Sequence, residues 1–162
     1  MTMPETHPVP AESSQALLRL LGRQPRMLLA EDDDDVRWCL STVFEIDGFR
    51  VAAVSNGVEF LEEIASTMLL EKRWLAPDVI VTDIRMPGFN VLNIIEGLRA
   101  AGWHTPVMVI SAFGDTQMRE RVRELSAEFF EKPLDIDELE RAVVRAVADK
   151  VEQQPSPSSQ GL

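Results

Sequence analysis

Residues 26–36 read Arg-Met-Leu-Leu-Ala-Glu-Asp-Asp-Asp-Asp-Val, so the apolar run Met27–Ala30 passes directly into five acids, Glu31–Asp35. A buried strand ending in carboxylates is a costly arrangement, because like charges held close repel and raise each other's pKa. A divalent cation between them would offset that cost. Carboxylate oxygens are hard ligands that suit Mg²⁺, commonly held by one or two carboxylates, waters and a phosphate. The same acids also suit a plain capping role at the start of a helix. The rest of the chain decides between the two readings.

Working outward, four more short apolar runs follow: Val51–Val54, Val79–Val81, Val107–Ile110 and Phe129–Phe130. The runs at 27, 79 and 107 are nearly continuous in apolar character, as strands buried on both faces are. Helical periodicity fills the gaps. Val36, Leu40, Val43 and Phe44 share one face, with Gly48 as the stop; Val58, Leu61, Ile64, Ala65 and Met68 make the second stripe. Leu92, Ile95 and Leu98 make the third, ended by Gly102, and Met118, Val122 and Leu125 the fourth. The fifth stripe is Leu139, Ala142, Val143, Ala146 and Val147, opened by Asp135 and Glu138 at capping-box spacing, with Leu134 and Leu139 placed for a hydrophobic staple. Five strands alternating with five helices predict an α/β doubly wound parallel sheet. Its crossovers are right-handed, and ligands bind beyond the carboxyl ends of its strands.

Size and charge narrow the function. The chain has 162 residues, enough for one domain with a real core. Residues 13–21 predict a short helix capped by Ser13 or Ser14 and stopped by Gly22, within an extension covering residues 1–25; the folded domain is expected over 26–150. The Pro-rich start and the tail 151–162 read as disordered. A net charge of −11 disfavours direct DNA binding and favours metal ions and basic or apolar protein partners. The single cysteine, Cys39, precludes an intrachain disulfide, fits a reducing cytoplasm, and reads as a small core residue of its helix. No apolar run is long enough to span a membrane, and the N-terminus lacks the features of a secretory signal.

The polar residues that follow the strands carry the chemistry. They are Glu31-Asp32, Thr82-Asp83 leading into Ile84-Arg85-Met86-Pro87-Gly88, Ser111-Ala112, and Lys132-Pro133. Singly, each is ordinary: a turn aspartate, a capping serine, a surface lysine. Gathered at one sheet edge they form a set suited to phosphoryl transfer. Carboxylates hold a cation, a further carboxylate attacks phosphorus, and the metal, ammonium and hydroxyl each take one equatorial oxygen. A proline after Lys132 also biases the lysine backbone toward an extended form.

The segments MLLAEDDDDVR, DVIVTDIRMPG, VMVISA and EKPLDIDEL, in this order over about residues 26–150, resemble the receiver domain of two-component response regulators. The wording around the second and fourth is nearest to receivers of sigma-54-activator regulators, but no ATPase or DNA-binding segment follows, so the resemblance is to a stand-alone, CheY-like receiver. It implies a flavodoxin-like sheet of order 2-1-3-4-5. It implies Asp83 as phosphoacceptor, Glu31 and Asp32 with Asp83 and the Arg85 carbonyl as a Mg²⁺ site, and Lys132 as the phosphate-sensing lysine. Ser111 would be the switch hydroxyl and Phe129 the switch aromatic, usually Tyr. The implied donor is a histidine kinase or histidine phosphotransfer protein. The output protein is unspecified, and a phosphorylation-dependent homodimer is left open.

Three local departures accompany the resemblance. Asn90-Val91 stands where the family commonly has Asp-Gly, the Ser111–Lys132 stretch is one residue short with Leu125-Ser126-Ala127 in place of a Gly-Ala pair, and Phe129 has no hydroxyl. They motivate one competing reading, a phosphorylation-independent receiver-like scaffold. Another is a Mg²⁺-dependent phosphohydrolase with an aspartyl-phosphate intermediate, similar to the haloacid dehalogenase family. Such an enzyme needs a proton-donating Asp two residues after the nucleophile, and Arg85 stands there, unable to donate at neutral pH. An EF-hand loop is excluded by the spacing of Asp32, Asp34 and Val36.

Overall fold

Five strands pair in the order β2-β1-β3-β4-β5, all parallel. They are β1 (Arg26–Ala30), β2 (Arg50–Val54), β3 (Val79–Asp83), β4 (Val107–Ser111) and β5 (Glu128–Glu131). The helices are α1 (Ala11–Leu21), α2 (Asp34–Ile46), α3 (Gly57–Ile64), α4 (Val91–Ala100), α5 (Thr116–Glu124) and α6 (Ile136–Gln153). This computed structural model describes residues 11–69, 72–112 and 114–153. The expected disorder of the first ten residues and of the tail from 154 lies outside the described residues, as does the side chain of Met68.

The alternation of side chains along each strand splits the core into two layers. Met27 and Leu29 of β1 face one way with Val79, Val81, Met108 and Ile110, against Phe44 of α2, Val143 and Val147 of α6, and Leu17 of α1. Leu28 and Ala30 face the other way with Ile80, Val107 and Val109, against Phe60 and Ile64 of α3, Ile95 and Leu98 of α4, and Val122 of α5. All five residues of β3 and of β4 are buried, while edge strand β2 is exposed at Arg50 and Ala53, in line with the sheet order.

Several expectations change. β3 and β4 run past their apolar runs to include Thr82, Asp83 and Ser111, which sit in ladder positions rather than in loops. On α3 the buried face is Gly57, Phe60 and Ile64, while Val58 is exposed. Of the stripe drawn through Val58, Leu61, Ile64, Ala65 and Met68, Ile64 is buried as expected and Val58 is not, and the stripe leaves out Phe60, the largest apolar group of the helix. Cys39 is exposed, not core: it sits one residue, about 100° of helix, from buried Leu40. The Glu138 N–H donates to Asp135 Oδ1 at 3.1 Å, as the capping-box spacing predicts, and α6 continues to Gln153, past the boundary drawn at 150. Val91, where the family commonly has glycine, is the buried first residue of α4 and needs no glycine-like freedom, and Asn90 takes the place of the family's Asp. At φ −68° it is the N-cap of α4, its side chain accepting from the Leu92 and Asn93 N–H groups.

Candidate phosphoacceptor site

The carboxyl ends of β1, β3 and β5 bring Glu31, Asp83 and Lys132 together. Lys132 Nζ donates to Asp83 Oδ2 at 2.8 Å and to Glu31 Oε2 at 3.0 Å. Asp83 is 5% exposed and Glu31 fully buried, so two carboxylates leave water for one shared ammonium. Lys132 is carried by the turn after β5, which is tied to β4 by the Lys132 N–H donating to Ser111 O at 2.9 Å. The Lys132–Pro133 peptide is cis.

The electrostatics follow from this packing. Burial pushes the Glu31 carboxyl above the usual range, while the Lys132 hydrogen bond and the Asp33 N–H pull it back, and the Asp83 charge adds to the rise. For Lys132, burial favours the neutral amine, but the hydrogen bonds to Asp83 and Glu31 outweigh it and raise the pKa. The ammonium is therefore firmly charged. Removing one partner of such a buried set would leave an uncompensated charge, at a cost of a few kcal/mol.

Asp83 Oδ1 accepts from the Arg85 N–H at 2.8 Å, which fixes both carboxylate oxygens. Glu31, Asp32 and Asp83 each offer an oxygen, all within 4.8 Å of one another, and Asp32 is the exposed member facing solvent. Three hard anionic donors at this separation, open on one side, fit a Mg²⁺ ion that keeps several waters. The other acids divide the work. Asp33 is the N-cap of α2, its side chain accepting from the Asp35 and Val36 N–H groups. Asp34 pairs with Arg37. The capping reading of the acidic run thus holds for Asp33, while Glu31 and Asp32 belong to the carboxylate cluster with Asp83.

Ser111 is fully buried beside the site at the last position of β4. Phe129 lies further along, half-buried on β5, with the Arg119 guanidinium 4.4 Å above its ring. Arg119 also reaches Gly114 O and Glu131 Oε2, both at 3.3 Å, tying α5 to β5 and to the loop after β4. A Cβ on Gly114 would lie 2.4 Å from the Phe129 ring, so the ring lies directly against this loop.

Some participants escape sequence reasoning. Arg37 Nη1 donates to Glu31 O at 2.9 Å, and Thr82 Oγ1 to Asp83 O at 2.8 Å. Arg119 looks like any helix-surface cation. Thr82 is named in the sequence reading only as a residue at the strand end, without this bond to the Asp83 carbonyl.

The family model for the response regulator receiver domain matches residues 27–144, and the chain belongs to that family. It is 32% identical over 123 residues to the regulatory protein AtoC of Escherichia coli K12, covering 75% of this chain but only 25% of that protein. It thus spans about a quarter of the length of that relative. It is 27% identical over 119 residues to sporulation initiation phosphotransferase F of Bacillus subtilis, covering 73% of this chain and 90% of that protein. The solved receiver domain of Francisella response regulator 1452 superimposes with a TM-score of 0.67 at 28% identity, covering 78% of this chain and 98% of that structure. Receiver domains are signalling switches that work with histidine kinases or phosphotransfer proteins, rather than enzymes of ordinary turnover. Among the described residues, no helix is long and apolar enough to cross a membrane.

Proposed function

We propose that this chain is a phosphoacceptor switch that takes a phosphoryl group onto Asp83 from a phosphohistidine of a kinase or phosphotransfer protein. The observation that carries this reading is the double anchoring of the Asp83 carboxylate by Lys132 Nζ and the Arg85 N–H, both at 2.8 Å, beside two further carboxylates. The anchoring holds one carboxylate at the edge of the sheet with little freedom to lose, which favours reaction through positioning. Asp83 attacks phosphorus, a P–O bond forms, the P–N bond to imidazole breaks, and the leaving nitrogen keeps its electron pair. Lys132 exchanges one carboxylate for a phosphoryl oxygen, and Ser111 takes another. Mg²⁺ held by Glu31, Asp32, Asp83 and the Arg85 carbonyl would neutralise charge on the phosphoryl oxygens. A phosphohydrolase is disfavoured by Arg85, whose guanidinium cannot give up a proton at neutral pH where that chemistry needs an acid.

Output is assigned to the face of α5, β5 and α6, as a contact with a protein rather than with DNA. Movement of Ser111 toward the phosphoryl group shifts the loop that contains Gly114, and the Phe129 ring resting on that loop must follow. Intact mass after incubation with acetyl phosphate and Mg²⁺ tests the acceptor. Wild type should gain one phosphoryl group and Asp83→Asn none, with EDTA abolishing the gain. Equal labelling of the variant would overturn the assignment, and an unlabelled wild type would favour the scaffold reading. Amide shifts on adding beryllofluoride should extend into residues 114–135; shifts confined to the loops around Asp83 would remove the output assignment.

A further inference from the structure

At the opposite pole, the amino edge of the sheet, two cations line a small cavity in a protein whose net charge is −11. The cavity has a volume of about 190 Å³, and Arg23, Asp78, Trp103 and Lys150 line it. They come from four places: the segment after α1, the entry to β3, the turn after α4, and the last turns of α6. The single carboxylate is already engaged by three donors. Asp78 takes a two-pronged ion pair from Arg23 at 2.8 Å and 2.8 Å, and the Arg26 N–H at 2.7 Å. A third cation, Arg99, stands close enough to repel Lys150 but is occupied by backbone carbonyls. Its Nε donates to Leu125 O at 2.8 Å and its Nη1 to Trp103 O at 3.0 Å and Thr105 O at 2.8 Å.

Lys150 is left as the uncommitted charge. Among the described residues it makes no ion pair or side-chain hydrogen bond, and its surroundings weigh against the charge it carries. Burial lowers its pKa, the Asp78 charge comes next and opposes that, and Arg99 and then Arg23 lower it further. An ammonium partly withdrawn from water beside Arg23 and Arg99, with the nearby Asp78 already engaged by Arg23 and the Arg26 N–H, favours a further anion.

We propose that this cavity is a binding site for a compact oxyanion, held by Lys150 and the outer side of the Arg23 guanidinium, with Trp103 as its wall. The volume sets the class of ligand. It lies below the ~300–1,000 Å³ of sites for drug-sized molecules, so it admits a phosphate-type or carboxylate-type head rather than a whole nucleotide. Charge-assisted hydrogen bonds from two cations give it an affinity that plain ionic screening does not reproduce. The site lies at the far end of the sheet from Asp83 and does not depend on the phosphoacceptor reading.

Titration of the full chain with inorganic phosphate, and separately with succinate, tests the site against sodium chloride at equal ionic strength. The readout is the Trp103 indole N–H signal in a ¹⁵N spectrum. The oxyanion should give a saturable shift with a dissociation constant on the order of 1 mM, and chloride none. Whichever of phosphate and succinate saturates identifies the head group. Lys150→Gln should weaken binding at least about tenfold while Lys150→Arg, which keeps the charge, retains most of it. A linear shift shared by all three salts, or an undiminished response in Lys150→Gln, would overturn the proposal.

Discussion

Ser126 occupies the left-handed region at φ 55°, the only non-glycine residue among those described to do so. It is where α5 must stop. The Ala127 N–H donates back to Val122 O at 3.0 Å and the Ser126 N–H to Arg123 O at 2.9 Å, the closing pattern of a helix that ends in a left-handed residue. An L side chain in this conformation costs ~1–2 kcal/mol, and glycine avoids it at the expense of a looser unfolded chain. Ser126→Gly should therefore raise stability by about 0.5–1 kcal/mol in urea unfolding, with an unchanged slope. A loss of stability would show that the serine hydroxyl, and not backbone strain, dominates there. The missing Gly-Ala pair thus leaves β5 in register, with Ser111 opposite Glu131, and its consequence is local strain.

Between elements, α2 and α6 meet through two acids. Glu140 of α6 is only 6% exposed, and Asp47, the C-cap of α2, has a buried Oδ2 with no donor. Both facts are accounted for if Glu140 carries the proton and donates to Asp47. Burial, then the hydrogen bond to Asp47, then the charges of Asp47 and Asp137 push the Glu140 pKa up to about 8, with Arg141 opposing. The native state therefore holds a proton that the unfolded chain releases near pH 4.5. This contribution to stability is complete below that pH and is lost as pH rises through about 8. Glu140→Gln keeps a donor for Asp47 without a titratable proton. It should be more stable than wild type by ~1–3 kcal/mol at pH 9, and the two should converge below pH 4.5. Parallel melting curves across this range would show instead that Glu140 is ionised in the native protein.

At the scale of the whole molecule, α1 belongs to the folded core although the family match begins only at residue 27. Leu17 is fully buried in the layer that contains Phe44, Val143 and Val147, and Arg23 locks the following segment to Asp78. Leu17→Ala should cost ~2–4 kcal/mol, as for other fully buried leucines. Removal of residues 1–25 should lower the melting temperature at least as much, and an unchanged melt for both would mean that α1 rests on the domain without stabilising it. α1 packs on α6, so part of α6 is covered from within the chain. The proposed output face is confined to the remainder.

The alternation of strands and helices, the doubly covered sheet and the acidic edge were legible in the chain because they rest on local chemistry, whereas the strand order came only from the family resemblance. Continuous apolar runs demand burial on both faces, 3.6-residue stripes demand a sheet to pack on, and polar residues that end such runs fall at one edge. Family resemblance in four short segments attached chemical roles to that edge. Long-range geometry was not legible. That one ammonium bridges Glu31 and Asp83 across residues 101 and 49 apart in sequence is a property of β1, β3 and β5 lying side by side. Likewise Arg119 over Phe129, Glu140 against Asp47, the uncommitted Lys150 and the burial of Leu17 each depend on which helix faces which. Only tertiary packing decides that, because a side chain's charge state and partners follow from how much water its neighbours remove.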